Sequence, residues 1–333
     1  MPQSHSKRTF DALVVDISVI LCTFNRATSL RRTLEGFRSL AVPAGCQWEL
    51  LVADNNSTDD TRSVCEDFHG KLPLRYLFES RPGKSFALNH AVQQASAPLL
   101  LFTDDDVDVD PRWAGALVDA ARRHPEITFF GGRVLPHWEQ PPPRWAEENI
   151  DWLLINVHVD KGDAEIVLQN GSTTFLVGAN LAVRRSVFAQ GLCFREDLGP
   201  AGSDGSPVGN MRGEEIDLEK QLLKRGCKGL YVPAAIVRHR HAAHRCTERY
   251  LRHWYMGWGM SDVRTDIRAP DPHIWFGAPR YYWKALVLNA LKYASARWTR
   301  PSRVWLTAEI DMAFAWGVIV EHRRQKTRRN VAR

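Results

Sequence analysis

Short apolar, often β-branched runs alternate with segments of helical periodicity between residues 17 and 134. The predicted strands are residues 17–22, 48–53, 74–78, 99–103 and 127–134. The predicted helices are residues 30–40, 58–68, 85–95 and one that opens at Pro111, because proline suits a first helical position. This alternation predicts βαβ units and a largely parallel sheet with helices on both faces.

The pattern changes beyond residue 136. Pro141, Pro142 and Pro143 lie between Trp138 and Trp145 and predict a loop. The remaining predicted strands are residues 175–183 and 231–237, and the remaining helices are 214–225, 248–260, 281–298 and 304–323. Residues 199–213 are rich in Gly, Ser and Asp, and we expect a mobile loop that closes over a bound substrate. We divide the chain into an N-terminal tail (1–15), an α/β domain (16–241) and a helical C-terminal region with a basic tail (242–333).

Polar clusters follow three of the predicted strands, at the edge of a parallel sheet where ligands bind. The clusters are Thr23, Asn25 and Arg26 after the first strand, Asp54 to Asp59 after the second, and Asp104, Asp105 and Asp106 after the fourth. A single strand-end Asp is commonly a helix cap, but three adjacent carboxylates repel one another, and a bound cation relieves the repulsion. Carboxylate oxygens suit Mg²⁺ or Mn²⁺. A solvated acidic turn is the alternative.

Six pieces of the sequence, in this order, resemble the family 2 glycosyltransferases, which have the nucleotide-sugar-binding fold called GT-A. The pieces are 19–26 (VILCTFNR), 51–60 (LVADNNSTDD), 81–89 (RPGKSFALN), 102–107 (FTDDDV), 178–185 (GANLAVRR) and 213–218 (GEEIDL). The resemblance spans roughly residues 17–241. It implies a GT-A domain, with an α/β Rossmann-like sheet flanked by helices, followed by a C-terminal helical extension.

The resemblance also implies roles for individual residues. For the nucleotide-sugar, the implied contacts are Thr23, Asn25, Arg26, Asp54 (at the base), Lys84, Asn89, Asp104 (nearer the ribose), Asp105 and Asn180 (at the sugar and acceptor). Asp106 is the implied direct metal ligand within the acidic motif, and Asp104 is implied as a second metal ligand. His239 matches a histidine that helps hold the metal or the diphosphate in such enzymes, and a surface histidine among basic groups is the alternative reading.

A general base is the remaining requirement of an inverting transfer, because the acceptor hydroxyl must lose its proton as it attacks. The family usually shows Glu-Asp where this chain has Glu214 and Glu215, and alignment puts Glu215 at the position of the base. The substitution leaves open which of the two acts, and Asp217 is a third carboxylate nearby. Acidic residues in the first turn of a helix also favour the helix dipole without any catalytic role.

Charge is distributed unevenly along the chain. The whole chain carries a net charge of +6, but residues 280–333 hold 12 Lys or Arg against 3 Asp or Glu. This basic tail and the tryptophans of the C-terminal half indicate a peripheral contact with an anionic membrane surface, or a solvated tail. Nucleic acid is not the expected partner. The polar N-terminus, the lack of a long apolar run and six scattered cysteines indicate a cytoplasmic protein, with the inner face of the membrane as the other location considered.

Other nucleotide-binding classes lack their motifs here. A dehydrogenase needs Gly-x-Gly-x-x-Gly after the first strand, where this chain has TFNR, and neither a P-loop nor the glycine-rich loop of a nucleotidyltransferase is present. We therefore expect an inverting, Mn²⁺- or Mg²⁺-dependent glycosyltransferase. The favoured donor is a UDP-sugar, with GDP- and dTDP-sugars as alternatives, and the acceptor is a hydroxyl of a glycan, a lipid-linked glycan or a small molecule. A catalytically inactive scaffold with the same fold is the alternative.

Overall fold

The computed structural model describes residues 15–149, 158–200, 212–265 and 273–331. The strands are β1 Ile17–Thr23, β2 Trp48–Asp54, β3 Leu74–Phe78, β4 Leu99–Asp104, β5 Val107–Val109, β6 Phe129–Trp138, β7 Ile166–Leu168, β8 Leu181–Arg184, β9 Gly229–His241, β10 Ile274–Trp275 and β11 Ala278–Pro279. The helices are α1 Ala27–Phe37, α2 Thr61–Asp67, α3 Lys84–Gln94, α4 Trp113–Arg123, α5 Arg144–Glu147, α6 Ser186–Ala189, α7 Glu214–Lys224, α8 Glu248–Arg264, α9 Arg280–Ala296 and α10 Ser302–Val331. Gly178–Asn180 and Ala243–Cys246 are 3₁₀ turns.

One large sheet organises the described part of the chain. Its order is β3-β2-β1-β4-β8-β6-β9-β5, with β7 paired to β9. Strands β1 to β4 are parallel to one another, as the βαβ pattern predicts, while β8 pairs antiparallel with β4, and β5 and β7 pair antiparallel with β9. Every residue of β1 is buried, because helices cover both faces of this part of the sheet. The predicted fold class, an α/β sheet flanked by helices with C-terminal helices after it, is confirmed.

Alternate strand residues build a core on each face of the sheet. Val19 and Leu21 point into one core and pack with residues of α1 and α4. Ile20 of the same strand points into the other core, together with residues of α3 and α7. The sheet is therefore held from both sides, and its edge at the carboxyl ends of β1, β2 and β4 is fixed in position.

Two of the predicted elements are corrected. The strand predicted at 175–183 is a 3₁₀ turn over Gly178–Asn180 followed by a strand only from Leu181. The chain turns there because the buried Asn180 amide spans the interior: it accepts a hydrogen bond from Trp113 Nε1 at 2.8 Å and donates to Ala235 O at 2.8 Å. Ala235 lies where β9 shifts register against β6, so Asn180 satisfies a carbonyl that the sheet leaves unpaired.

The helix predicted to open at Pro111 begins two residues later, at Trp113. Pro111 instead belongs to a turn closed by Asp110, whose carboxylate accepts from Arg112 N and whose carbonyl accepts from Trp113 N. The predicted loop at 199–213 falls mostly outside the described residues.

The C-terminal helices form a compact packing unit of their own. Helix α8 crosses α10 at two glycines, where a Cβ atom on Gly259 would lie 2.1 Å from Phe314 O and one on Gly317 would lie 2.0 Å from Met256 O. Two ion pairs bracket the crossing: Arg252 Nη1 to Glu309 Oε1 at 2.6 Å, and Arg264 Nε to Glu321 Oε1 at 2.8 Å. Among the described residues no helix is both long enough and apolar enough to cross a membrane.

We predict that Gly259→Ala or Gly317→Ala destabilises the protein by about 1–3 kcal/mol, because the added methyl group forces two backbones apart. Gly36→Ala is the matched control: it is also a helical glycine, but nothing lies within 4 Å of its Cβ position, so helix propensity should make it neutral or stabilising by up to about 1 kcal/mol. Urea denaturation measures all three. If all three substitutions changed the free energy of unfolding equally, the close contact between α8 and α10 at these glycines would be contradicted.

Candidate active site

An acidic turn lies at the edge of the sheet where β1, β2 and β4 end. Asp104 is the last residue of β4, and Asp105 and Asp106 form the turn that leads into β5. Strand β9 runs antiparallel beside β5, with His239 opposite Val107, and Arg240 N donates to Asp106 O at 2.8 Å. The long strand β9 therefore brings a histidine to the three carboxylates.

Cations from distant parts of the sequence neutralise the acidic turn. Lys84 Nζ lies 2.9 Å from Asp104 Oδ1. Arg26 Nη1 contacts Asp105 Oδ1 at 3.0 Å and Asp106 Oδ2 at 2.9 Å, and Arg245 also binds Asp106 Oδ2. Burial alone would raise the pKa of Asp106, but the charges of His239, Arg245 and Arg26 hold it well below its usual range.

The backbone of the turn is held separately by a buried arginine. Arg240 donates to Val107 O at 2.7 Å, to Asp105 O at 3.0 Å and to Asp108 Oδ1 at 2.6 Å. It also reaches Thr33 Oγ1 on α1 at 2.7 Å. This side chain fixes the direction of the three carboxylates without touching their oxygens.

Asp104, Asp106 and His239 form a group with the composition of a divalent metal site. Each offers one ligand atom, and these atoms lie within 4.8 Å of one another. His239 Nε2 is 3.3 Å from Asp106 Oδ1, while its Nδ1 is 3.2 Å from the carbonyl of Arg240. A proton on Nδ1 would leave Nε2 free as a ligand, which is the usual arrangement at metal-binding histidines. Two carboxylates and an imidazole suit Mn²⁺ or Mg²⁺.

The two adjacent glutamates at the start of α7 have different surroundings. Glu214 Oε1 is 3.3 Å from Lys84 Nζ, so Lys84 links this carboxylate to Asp104. Glu215 faces the same cavity, and its buried Oε2 has no hydrogen-bond partner within the described chain. Burial and the charge of Glu214 raise the pKa of Glu215 to about 8, against the opposing effect of Lys84.

A cavity of about 320 Å³ connects these groups with the C-terminal helices. Another wall comes from α8, which contributes Tyr250, Trp254 and Trp258. The Arg212 guanidinium carbon lies 3.5 Å from the centre of the Trp254 ring system, and Arg212 Nε has no hydrogen-bond partner among the described residues. One wall is thus charged and the other is aromatic.

The structure brings most of the predicted site residues together at this cavity. Those that line it are Thr23, Arg26, Lys84, Asp104, Asp105, Asp106, Glu214, Glu215 and His239. Thr23 Oγ1 donates to Asp105 Oδ2 at 2.7 Å, so it orients one of the carboxylates. Asp217, the third carboxylate of α7, instead accepts a hydrogen bond from Gln221 Nε2 at 2.7 Å.

Four predicted residues are not part of the cavity lining, and each is engaged elsewhere. Asp54 is buried and accepts hydrogen bonds from the Tyr76 hydroxyl at 2.7 Å and from Ser57 N at 2.9 Å. Asn25, which has a φ of +51°, accepts from Thr58 N at 2.7 Å. Asn89 pairs with both backbone polar groups of Phe194, and Asn180 holds the register shift described above.

Polar lining residues that the sequence did not assign to the site include Arg212, Arg245, Tyr250 and Asn55, the last of which was named only as part of the cluster after β2. Asn55 immediately follows Asp54; its Nδ2 donates to Arg81 O at 2.7 Å and its Oδ1 accepts from Gly83 N at 2.7 Å. It therefore fixes the loop that carries Lys84. Its position beside Asp54 in a polar strand end was the available signal, whereas nothing local marks Arg212 or Arg245.

Solved structures resemble this fold. A mannosyltransferase of Pyrobaculum calidifontis in complex with GDP-Man and Mn²⁺ superposes with a TM-score of 0.59 at 18% identity, covering 93% of this chain and 87% of that one. Residues 1–349 of Staphylococcus aureus TarS in complex with UDP-GlcNAc give a TM-score of 0.52 at 15% identity, covering 94% of this chain and 92% of that one. At these identities the likeness shows the fold.

Sequence comparison identifies relatives among known glycosyltransferases. Validoxylamine A glucosyltransferase of Streptomyces hygroscopicus is 36% identical over 106 residues, which are 31% of this chain and 25% of that protein. The succinoglycan biosynthesis protein ExoM of Rhizobium meliloti is 29% identical over 137 residues, 40% of this chain and 43% of that protein. The aligned region thus spans less than half the length of either relative. The family model described as glycosyl transferase family 2 matches residues 18–192, more than half of the chain. The chain belongs to glycosyl transferase family 2.

Proposed function

We propose that this protein transfers a sugar, with inversion, from a nucleoside-diphosphate sugar to a hydroxyl acceptor, and that Glu215 is the general base. The observation that carries the proposal is the placement of Glu215. It is a buried carboxylate with an unengaged oxygen, its pKa lies near neutrality, and it lines the same cavity as Asp104, Asp106 and His239. A base is most effective when its pKa lies near the working pH.

The proposed reaction is a single displacement. The acceptor hydroxyl oxygen forms a bond to the anomeric carbon while the bond from that carbon to the diphosphate oxygen breaks, which inverts the configuration. The hydroxyl proton passes to a carboxylate oxygen of Glu215. Glu214 is less suited to this role, because its carboxylate is paired with Lys84.

The donor diphosphate is assigned to the charged wall of the cavity. Asp104, Asp106 and His239 would hold Mn²⁺ or Mg²⁺, which would neutralise charge on the departing diphosphate. Lys84, Arg26 and Arg245 supply further positive charge on the same side. The neighbours' complexes with GDP-Man and Mn²⁺ and with UDP-GlcNAc support a donor of this class, and the UDP-sugar stays the favoured one.

The acceptor is assigned to the aromatic wall. Tyr250, Trp254 and Trp258 line the cavity there, and aromatic rings pack well against the apolar faces of sugar rings. The acceptor hydroxyl would then approach Glu215 from the side of α8. A glycan or a lipid-linked glycan is the proposed acceptor class, and the name of the succinoglycan relative is consistent with it.

Donor binding is tested first by thermal shift with UDP, GDP, dTDP and CDP, each with and without Mn²⁺. A nucleotide at 100 times its dissociation constant should stabilise the protein by about 2.7 kcal/mol. We expect one nucleotide to give a metal-dependent shift that Asp106→Asn abolishes. Asp119→Asn, an exposed position on α4, is the matched control and should keep the shift. No metal-dependent shift with any nucleotide would count against the donor site.

The general base is tested by Glu215→Gln, which should lower kcat by about 10²- to 10⁴-fold while nucleotide binding persists, because only proton removal is lost. The matched control is Glu219→Gln. Glu219 lies one turn further along α7 and is also buried with a raised pKa, but it accepts from Leu176 N and does not line the cavity. Equal losses in both variants would point to a structural role. Nucleotide binding by the wild type without turnover on any acceptor would favour the inactive scaffold.

The pH profile follows from the raised pKa of Glu215. Only its ionised form accepts a proton, so kcat/KM should fall about tenfold per pH unit below the pKa of about 8 and level off above it. Rates measured from about pH 6 to about pH 9 check this, since kcat/KM reports groups of the free enzyme. A profile that stays flat on the acid side would rule out Glu215 as the base.

Removal of one aromatic ring tests the acceptor assignment. Trp254→Ala should raise the KM for the acceptor about tenfold or more and leave the KM for the donor nearly unchanged, because the ring belongs to the α8 wall, to which the acceptor is assigned. Initial rates with each substrate varied in turn separate the two constants. A parallel rise in both would instead indicate that the cavity as a whole had changed shape.

A further inference from the structure

Helix α9 is apolar on both of its long faces. Its inner face packs on α10: Tyr282 is buried there with Val318 and Ile319. Its outer face also carries large apolar side chains, and Leu288 and Leu291 are 65% and 64% exposed. A surface helix of a water-soluble protein normally shows a polar face to solvent, so the outer face calls for a partner.

The hairpin of β10 and β11 extends this apolar face. Its tip residues Phe276 and Gly277 both have positive φ, 46° and 85°, as a tight two-residue turn requires. The turn directs the Phe276 side chain outward, where it is 82% exposed. Trp283 of α9 ties the hairpin to the helix, since its Nε1 donates to Trp275 O at 2.8 Å and its ring lies 5.9 Å from that of Phe276.

We call this surface the outer face. It comprises hairpin residues Ile274, Trp275 and Phe276 and helix residues Tyr281, Val287, Leu288 and Leu291, all of them exposed.

Basic residues predominate around the outer face, and Asp311 of α10 lies near one of them, Lys292. From residue 273 to residue 308 the chain has no Asp or Glu and six Lys or Arg. Lys284 and Lys292 lie on α9 among the exposed apolar residues, and Arg300 follows the helix. Exposed aromatic and aliphatic groups interspersed with lysines are complementary to a partner that has an apolar interior and an anionic surface.

We propose that the outer face docks the protein on an anionic lipid bilayer, with the Phe276 hairpin and the exposed side of α9 inserted at the level of the head groups. Amphipathic surfaces of this composition bury their apolar side chains at the boundary between head groups and acyl chains. Lysine and arginine near an anionic leaflet are each attracted to it. Within the basic region of residues 280–333 that the sequence indicated, this proposal assigns the membrane contact to α9, and it adds the hairpin that precedes the helix.

Charge favours a bilayer over a second copy of the same chain. Two outer faces brought together would bring Lys284 and Lys292 of both copies into one interface, to which residues 273–308 contribute no carboxylate. Asp311, which lies near Lys292, offsets only part of this positive charge. Anionic lipid head groups supply the opposite charge in any arrangement. The inference is independent of the proposed sugar transfer, because docking requires neither donor nor acceptor.

Co-sedimentation of the full chain with lipid vesicles tests the proposal. We expect binding to vesicles of phosphatidylcholine mixed with phosphatidylglycerol, and much weaker binding to phosphatidylcholine alone. Phe276→Ser, and Leu288→Ser combined with Leu291→Ser, should each weaken binding about tenfold or more. Lys284→Glu combined with Lys292→Glu should have a similar effect and should remove the preference for the anionic lipid.

Matched controls lie elsewhere on the surface. Val167→Ser changes an apolar residue that is 52% exposed on β7, and Lys161→Glu reverses an exposed charge, so neither should alter vesicle binding. Absence of binding to the anionic vesicles, or equal losses in the outer-face and control variants, would overturn the proposal. Sedimentation velocity tests whether a second copy of the chain covers the outer face instead. If the wild type is a dimer that does not bind vesicles, and the Leu288→Ser, Leu291→Ser double variant is a monomer, the face serves self-association. That result would overturn docking on lipid.

Discussion

Asp105 and Asp106 are almost completely shielded from water, and carboxylates in that position must be neutralised by charges that the protein itself brings close. Arg26 follows β1, and Arg245 follows β9, so the neutralising charges come from opposite ends of the α/β domain. In the Arg245–Asp106 pair both side chains are largely buried, and removing one partner of such a pair typically costs about 3–5 kcal/mol. The acidic site and the assembled sheet therefore depend on each other: the site exists only when β1, β4 and β9 have joined the same sheet.

Local patterns predict the central strands well, because continuous apolar runs are what burial on both faces requires. The strands predicted at 17–22 and 48–53 are observed as Ile17–Thr23 and Trp48–Asp54. The short strand β5 carries no such signal, since it is a strand only through its pairing with β9. The prediction at 175–183 was wrong over Gly178–Asn180 for a related reason. The turn places the Asn180 amide where it donates to Ala235 O, a carbonyl that lacks a sheet partner only once β6 and β9 have paired.

In the candidate site too, residues with a local sequence signal were predicted and residues that depend on distant partners were not. Its acidic residues were identified because clustered charge is unusual in any local context, and the structure collects them at one cavity. Asn89 and Asp54 have side chains equally suited to binding a ligand, and in the structure each forms a hydrogen bond with a protein group. Their contacts with the nucleotide-sugar stay predictions. The sequence does not reveal which buried backbone groups lack partners, so it cannot separate a polar residue that binds a ligand from one that satisfies the fold. Arg245 and Arg240 escaped prediction because their partners are far away in sequence.

The C-terminal helices combine two surfaces that are both unfavourable in water. Helix α8 presents Trp254 and Trp258 to the cavity, while α9 presents Leu288 and Leu291 to solvent, and both helices are fixed by packing on α10. Exposing apolar groups to water costs free energy in proportion to their area, and the lysines and arginines of this region repel one another. At an anionic lipid surface the apolar and the electrostatic contributions both become favourable. The apolar groups leave water, and the cations lie close to negatively charged head groups. The residues that make the outer face costly in solution are thus the ones that would make it bind.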